Sequence, residues 1–188
     1  KQYRALVGTL TWYTTTRYDI AYEVNRLAQK LSEPTKGAMK CVHRIMAYLK
    51  YTWDKALVVP RVVGDTWSFY SDSDHAGDSK SGDVRSTTGV IILLNGMPVF
   101  WRSNKQPKTS LSSACAEIYA LSEACKDAKL RMCVHRDLGR PVQYPIKIQV
   151  DNAAGVSFQH STCASSKLRG IFDMAEKWVK ELKRYQSS

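Results

Sequence analysis

Three acidic residues sit where chemistry is easy to assemble. Asp72 follows the aromatic run Trp67-Ser68-Phe69-Tyr70, Glu117 falls within the first two turns of a long helical pattern, and Asp151 ends the strand-like run Ile146 to Val150. If the two runs are neighbouring strands and the helix packs on them, the three carboxylates converge. Carboxylates at such close quarters repel unless cations neutralise them, and hard oxygen ligands select Mg²⁺ or Mn²⁺ over softer metals. A two-ion site follows from that logic. Ions about 3.5–4 Å apart activate a water on one side of a phosphodiester and stabilise the departing oxygen on the other, with no protein nucleophile required. Singly, each acid has a plainer role. Asp72 and Asp74 suit a solvated turn before Gly77, Glu117 suits the positive end of a helix, and Asp151-Asn152 suits a cap. Only the set points to catalysis.

The charge balance agrees with a phosphate-bearing substrate. Lys and Arg number 28 against 17 Asp and Glu, a formal charge of +11, which favours polyanionic partners and association that weakens with salt. Arg102, Lys105 and Lys108 have no acid among them and are placed to follow a phosphate backbone, solvated loop charge being the plainer account. His75, beside the acids, suits either proton transfer or simple exposure. Tryptophans Trp12, Trp53, Trp67, Trp101 and Trp178 are expected to pack in cores rather than stack on bases. Cys125, Cys133 and His135 are spaced by eight and two, which does not put three zinc ligands on one helical face.

The elements that must position these groups are legible in the hydrophobic period. Ile20, Val24, Leu27 and Leu31, then Met39, Val42, Met46 and Leu49, recur at helical spacing and predict a helical hairpin broken at Ser32-Glu33-Pro34-Thr35, with Ser32 as cap. From about Tyr51 the period stops. Short β-branched and aromatic runs follow at Ala56 to Val59, Trp67 to Tyr70, Gly89 to Leu94 and Met97 to Trp101, the last two meeting at Asn95-Gly96, a strong hairpin signal. A three-stranded antiparallel meander therefore starts near Trp67. A long helix spans Ser112 to Leu138, with Ile118, Leu121, Cys125, Ala128 and Met132 on one stripe and Gly139 as its stop. After the strand at Ile146 to Val150 come a short helical stretch to about His160 and a final basic amphipathic helix near Ser166 to Arg184. The order β-β-β-α-β-α-α predicts an α/β or α+β sheet, with residues before about 60 as a separate helical segment.

Composition excludes several classes. At 44% hydrophobic, with 10 Gly and 6 Pro, the chain reads as folded rather than disordered or collagen-like. No apolar run approaches the roughly 18 residues of a membrane span, and Lys1, Arg4, Arg17 and Asp19 interrupt the first twenty residues where a secretory leader would need an apolar core. Five cysteines, odd in number and without CxxC spacing, fit reduced thiols. A soluble, intracellular protein without a membrane partner is the expectation.

The acids have a recognisable surround. Tyr70-Ser71-Asp72-Ser73-Asp74-His75-Ala76-Gly77-Asp78, then Arg85-Ser86-Thr87-Thr88-Gly89, Lys105-Gln106-Pro107, Leu111-Ser112-Ser113-Ala114-Cys115-Ala116-Glu117 and Val150-Asp151-Asn152 closely resemble the ribonuclease H domain of copia-type retrotransposon polyproteins. Tyr3-Arg4-Ala5-Leu6-Val7-Gly8-Thr9-Leu10 and Arg17-Tyr18-Asp19-Ile20-Ala21 resemble the end of the reverse transcriptase in the same polyproteins. The resemblance implies two segments, 1–60 from the reverse transcriptase end and 61–188 as the ribonuclease H-like domain. It also implies a ribonuclease H-like α/β fold, a mixed five-stranded sheet flanked by helices, that cleaves the RNA strand of RNA–DNA hybrids with two Mg²⁺ or Mn²⁺ ions. The family's first, second and third catalytic and metal-holding carboxylates fall on Asp72, Glu117 and Asp151. Two positions depart from the pattern. Cys115 stands where the family usually has an acid, and the family's fourth carboxylate lies in a segment beyond the last strand that is not found before Ser188, with Asp173 and Glu176 only loosely in its place. Lys1 in place of Met is expected of a piece of something longer. These departures leave room for a second role: a co-opted, catalytically silent relative that binds structured RNA, or serves as a structural subunit of a ribonucleoprotein assembly with other proteins.

Overall fold

A computed structural model of the chain describes residues 1–61, 64–74, 84–110, 112–140 and 148–150. Helix α1 spans Gln2–Tyr13; a 3-10 turn at Tyr18–Ile20 leads into α2, Ala21–Ala28; and α3 spans Lys36–Tyr51. Strands β1 (Trp67–Asp74), β2 (Thr87–Leu94) and β3 (Met97–Lys105), helix α4 (Ser113–Asp137) and strand β4 (Ile148–Val150) follow.

The first segment is three helices rather than a hairpin. Tyr3, Val7 and Leu10 of α1 repeat at helical spacing and close a core with Ile20, Val24, Leu27, Ala38, Val42 and Ile45. The Tyr3 hydroxyl donates to the Leu27 carbonyl at 2.8 Å, fastening α1 to the end of α2. On α3 Ala38, Val42 and Ile45 are buried and Met39 and Leu49 pack against the same core, so of the expected stripe only Met46 is exposed. Thr35 caps this helix, its Oγ1 accepting from the Ala38 amide at 3.1 Å; Ser32 lies too far upstream to reach the first turn. The Ala56 to Val59 run forms no strand, and Val58 and Val59 are exposed, because among the described residues no backbone pairs with it.

The meander follows the expected runs but extends past them at three ends. β1 pairs antiparallel with β2, and β2 with β3. At the β2–β3 turn Asn95 and Gly96 both have positive φ, 53° and 80°, the geometry that matches strand twist in a two-residue hairpin. The Asn95 side chain also accepts from the Thr66 amide at 2.8 Å and donates to the Gly64 carbonyl at 2.9 Å, tying the lead-in of β1 to this turn. Strand β4 joins on the other side of β1, parallel to it, giving the order β3-β2-β1-β4.

Helix α4 begins after Ser112, whose Oγ accepts from the Cys115 amide at 3.2 Å, and ends before Gly139, which takes φ +74°. The stripe expected from the sequence, Ile118, Leu121, Cys125, Ala128 and Met132, is buried throughout. Ala124, Ala128 and Met132 pack on Phe69, Val90 and Ile92, and Leu121 and Cys125 pack on Ile148 and Val150. The opposite side of the sheet meets the N-terminal helices: Trp101 Nε1 donates to the Thr14 carbonyl at 2.7 Å, and Tyr18 lies against the Trp101 ring. The chain is thus a mixed α/β structure with a mixed sheet flanked by helices. Among the described residues that sheet has four strands, not the five the resemblance implies. The stretch up to His160 and the basic helix near Ser166 to Arg184 lie outside the described residues.

Candidate active site

Period-two alternation decides where Asp72 points. In β1 the side chains of Phe69, Ser71 and Ser73 are buried under α4, and Asp72 and Asp74 are exposed on the other face. Asp72 borders a groove of about 550 Å³ between that face and the N-terminal helices, lined also by Tyr18, Tyr22, Tyr70, Trp101 and Gln149. The Ser73 amide donates to Asp72 Oδ1 at 2.7 Å, and the Tyr22 hydroxyl donates to Asp74 Oδ2 at 2.9 Å, so both carboxylates are oriented locally.

Glu117 is buried, 9% exposed, one turn before Leu121 on the sheet-facing side of α4. Since Leu121 meets Val150 while Met132 meets Phe69, the start of α4 lies over the carboxyl end of β1 and β4, the end that carries Asp72. Asp72 and Glu117 therefore belong to the same end of the sheet but approach it from opposite faces. Sequence spacing alone does not show this, because it depends on which face of β1 the helix covers. Asp151 lies outside the described residues. Its predecessor Val150 pairs with Ser71, the predecessor of Asp72. Among the described residues no group of three or more His, Cys, Asp or Glu side chains is gathered as for one ion.

The donor chemistry suits a hard cation. Asp72 and Glu117 offer carboxylate oxygen, and on the α4-facing side of β1, the side from which Glu117 approaches, the hydroxyls of Ser71 and Ser73 are buried, 5% and 8% exposed, with no hydrogen-bond partner. Magnesium keeps several of its waters when bound, and such hydroxyls are natural partners for an ion's water shell. Polar side chains continue across the strands: Thr88, opposite Ser73, accepts at Oγ1 from Gln106 Nε2 at 3.0 Å.

Of the three basic residues, Arg102 faces α4, not solvent. Its guanidinium lies 3.0 Å from Glu123 and 2.8 Å from Asp127, so the acids that neutralise it come from a helix remote in sequence. Burial pushes Glu123 up, but hydrogen bonds from Lys126 and Arg102 outweigh it and leave the carboxyl below its ordinary value; at Asp127 burial prevails and the net shift is upward. That pairing removes Arg102 from the set available to phosphate. Lys105 Nζ donates to Gln29 Oε1 at 3.2 Å across to α2, and Lys108 is exposed. Trp67 stacks on Phe69 and Trp101 is packed, as expected, whereas Trp12 and Trp53 are 68% and 82% exposed. His75, Asp173, Glu176 and Trp178 lie outside the described residues. The cysteines Cys41, Cys115, Cys125 and Cys133 are free thiols. No described helix is long and apolar enough to cross a membrane.

No protein-family model matches the chain, and no solved structure matches it. Curated relatives do. The retrovirus-related Pol polyproteins from transposons RE2 and RE1 of Arabidopsis thaliana are 31% and 32% identical to it over 172 residues, 90% of this chain. The chain spans 12% of the length of each of those polyproteins. Secreted RxLR effector protein 161 of Plasmopara viticola is 39% identical over 127 residues, 67% of this chain and 88% of that protein. These relationships support a retrotransposon origin for the chain, which is similar to a segment of retrovirus-related Pol polyproteins.

Proposed function

We propose that the chain is a metal-dependent endonuclease of ribonuclease H type that hydrolyses the RNA strand of RNA–DNA hybrids, with Asp72, Glu117 and Asp151 as its metal-holding carboxylates. The observation that carries this reading is the parallel pairing of β4 with β1. It sets Val150, the residue before Asp151 in the sequence, beside Ser71, the residue before Asp72, with the first turns of α4 above the same end of the sheet. Because Asp72 and Glu117 come from opposite faces, the reacting phosphate would be held around the strand end rather than on a face. Two Mg²⁺ or Mn²⁺ ions there would supply an activated water and charge stabilisation of the departing oxygen. The protein's own part is to hold the carboxylates oriented, as the Ser73 amide does for Asp72. The net charge of +11 supports retention of a polyanion.

A second reading is a catalytically silent relative acting as an RNA-binding or structural subunit of a ribonucleoprotein assembly. The opposite-face approach of Asp72 and Glu117 and the Cys115 position favour it. One experiment separates the two. Labelled RNA–DNA hybrid is incubated with the protein across Mg²⁺ and Mn²⁺, beside the Asp72→Asn variant, and binding to structured RNA is titrated against salt. Cleavage of the RNA strand that Asp72→Asn lowers by about three orders of magnitude or more, with unchanged folding, supports the nuclease. No cleavage in either metal, with steeply salt-dependent RNA binding, supports the silent subunit.

A further inference from the structure

Gln106 is 2% exposed and every polar group of its side chain is engaged. One N–H of Nε2 donates to Thr88 Oγ1 at 3.0 Å and the other to the Ala116 carbonyl at 3.0 Å, while Oε1 accepts from Ser110 Oγ at 2.8 Å. Its backbone amide donates to the Ser86 carbonyl at 2.7 Å. The two acceptors of Nε2 are informative by position. Thr88 lies opposite Ser73, the residue after Asp72, and Ala116 is the residue before Glu117. A single nitrogen therefore joins the strand that carries one candidate metal ligand, through its partner strand, to the helical turn that carries the other. A buried amide with this geometry has one rotamer that satisfies all partners, so it fixes the turn of α4 relative to the end of the sheet.

We propose that Gln106 is a positioning residue that sets the separation of Asp72 and Glu117 and thereby the affinity of their site for a divalent cation. The proposal rests on the nuclease reading above. Outer residues that orient metal ligands typically change metal affinity or activity by about 10–100-fold when replaced. Gln106→Met keeps the length and volume of the side chain and removes both donors. Thr88→Val removes the β2 anchor alone.

The test compares wild type, each single variant and the double variant. Two quantities are read in the full chain: the Mg²⁺ concentration that half-saturates hybrid cleavage, and Mn²⁺ affinity by electron paramagnetic resonance without nucleic acid. Thermal denaturation is followed in parallel. Gln106→Met is expected to raise half-saturating Mg²⁺ and weaken Mn²⁺ binding by about tenfold or more, with the rate at saturating metal changed much less. Thr88→Val is expected to have a smaller effect that disappears in the Gln106→Met background. If Gln106→Met lowers the melting temperature while both metal readouts stay at wild-type values, the residue is structural and the proposal is wrong. Should Gln106→Met fail to fold, an unchanged Mn²⁺ affinity in folded Thr88→Val overturns it equally. Wild type that binds Mn²⁺ through Asp72 without cleaving hybrid would overturn the nuclease reading and still allow the Gln106 comparison. Wild type that does neither overturns both.

Discussion

Asp19 shows how a single side chain organises its neighbourhood. Arg17 Nε and Nη2 donate to its carboxylate at 3.0 and 2.8 Å, and the Tyr48 hydroxyl donates at 2.7 Å, linking the turn before α2 to the end of α3. The Arg17 hydrogen bonds hold its pKa down at about 2 against burial, with Tyr48 helping. A carboxyl whose folded pKa is depressed contributes stability above its unfolded value and loses it as pH falls toward the folded one. Asp19→Asn is therefore expected to destabilise the protein by about 1–2 kcal/mol at pH 7, a difference that shrinks as pH drops from the ordinary carboxylate range toward 2. Chemical denaturation at several pH values checks it; a gap that does not change with pH contradicts it. Cys125 is the opposite case. Burial pushes its thiol up to about 12, so native protein should leave Cys125 unalkylated while the partly exposed Cys41 and Cys133 react, with Cys125 labelled only on denaturation. Mass spectrometry of labelled peptides reads this directly. At this scale the motif residues were legible: Asp72, Glu117 and Gln106 all stand in motifs that the sequence singles out. The pairing of Arg102 was not, because Glu123 and Asp127 lie on a helix remote in sequence and reach it only when α4 packs on the sheet.

Among the elements, α4 was the most readable. A 25-residue helix with a serine cap, an unbroken apolar stripe and a terminal glycine states its limits to within one residue. The Asn95-Gly96 hairpin was equally clear, for the left-handed backbone that its turn requires is reached cheaply by those two residues. Helix α1 is not announced by periodicity, since Gly8, Thr9 and Thr11 dilute its apolar period and its helical form depends on packing Tyr3, Val7 and Leu10 against α2 and α3. The loss of Ala56 to Val59 as a strand has the converse cause: the composition suits a strand, but a strand exists only beside a partner. Leu121, fully buried, anchors α4 to β4 through Ile148 and Val150. Leu121→Ala is expected to lower stability by about 2–5 kcal/mol. If β4 depends on that contact, hydrogen exchange at Gln149 and Val150 should quicken more than exchange within the N-terminal helices; uniform quickening would argue that the helix and strand are not coupled there.

Over the whole molecule, two cores flank one sheet contact. Residues 3–45 close a helical core of their own, and α4 with the strands closes another. They are joined by Trp101 to Thr14, Tyr22 to Asp74 and Lys105 to Gln29. The N-terminal helices thus form one wall of the groove beside Asp72, so the segment that resembles a reverse transcriptase end contributes to the surroundings of the candidate site. Sequence reading expected that segment as a separate appendage; Tyr18, Tyr22 and Trp101 bind it to the sheet through side chains whose partners no periodicity announces. The account as a whole depends on residues 72, 117 and 151 meeting around one bound cation. The most direct measurement replaces Mg²⁺ with Fe²⁺ in the full chain and maps where peroxide and ascorbate cut the backbone. The expected result is cuts grouped near residues 72, 117 and 151, suppressed by excess Mg²⁺ and absent in Asp72→Asn. Cuts near only one of the three, or a pattern that Asp72→Asn leaves intact, would contradict it.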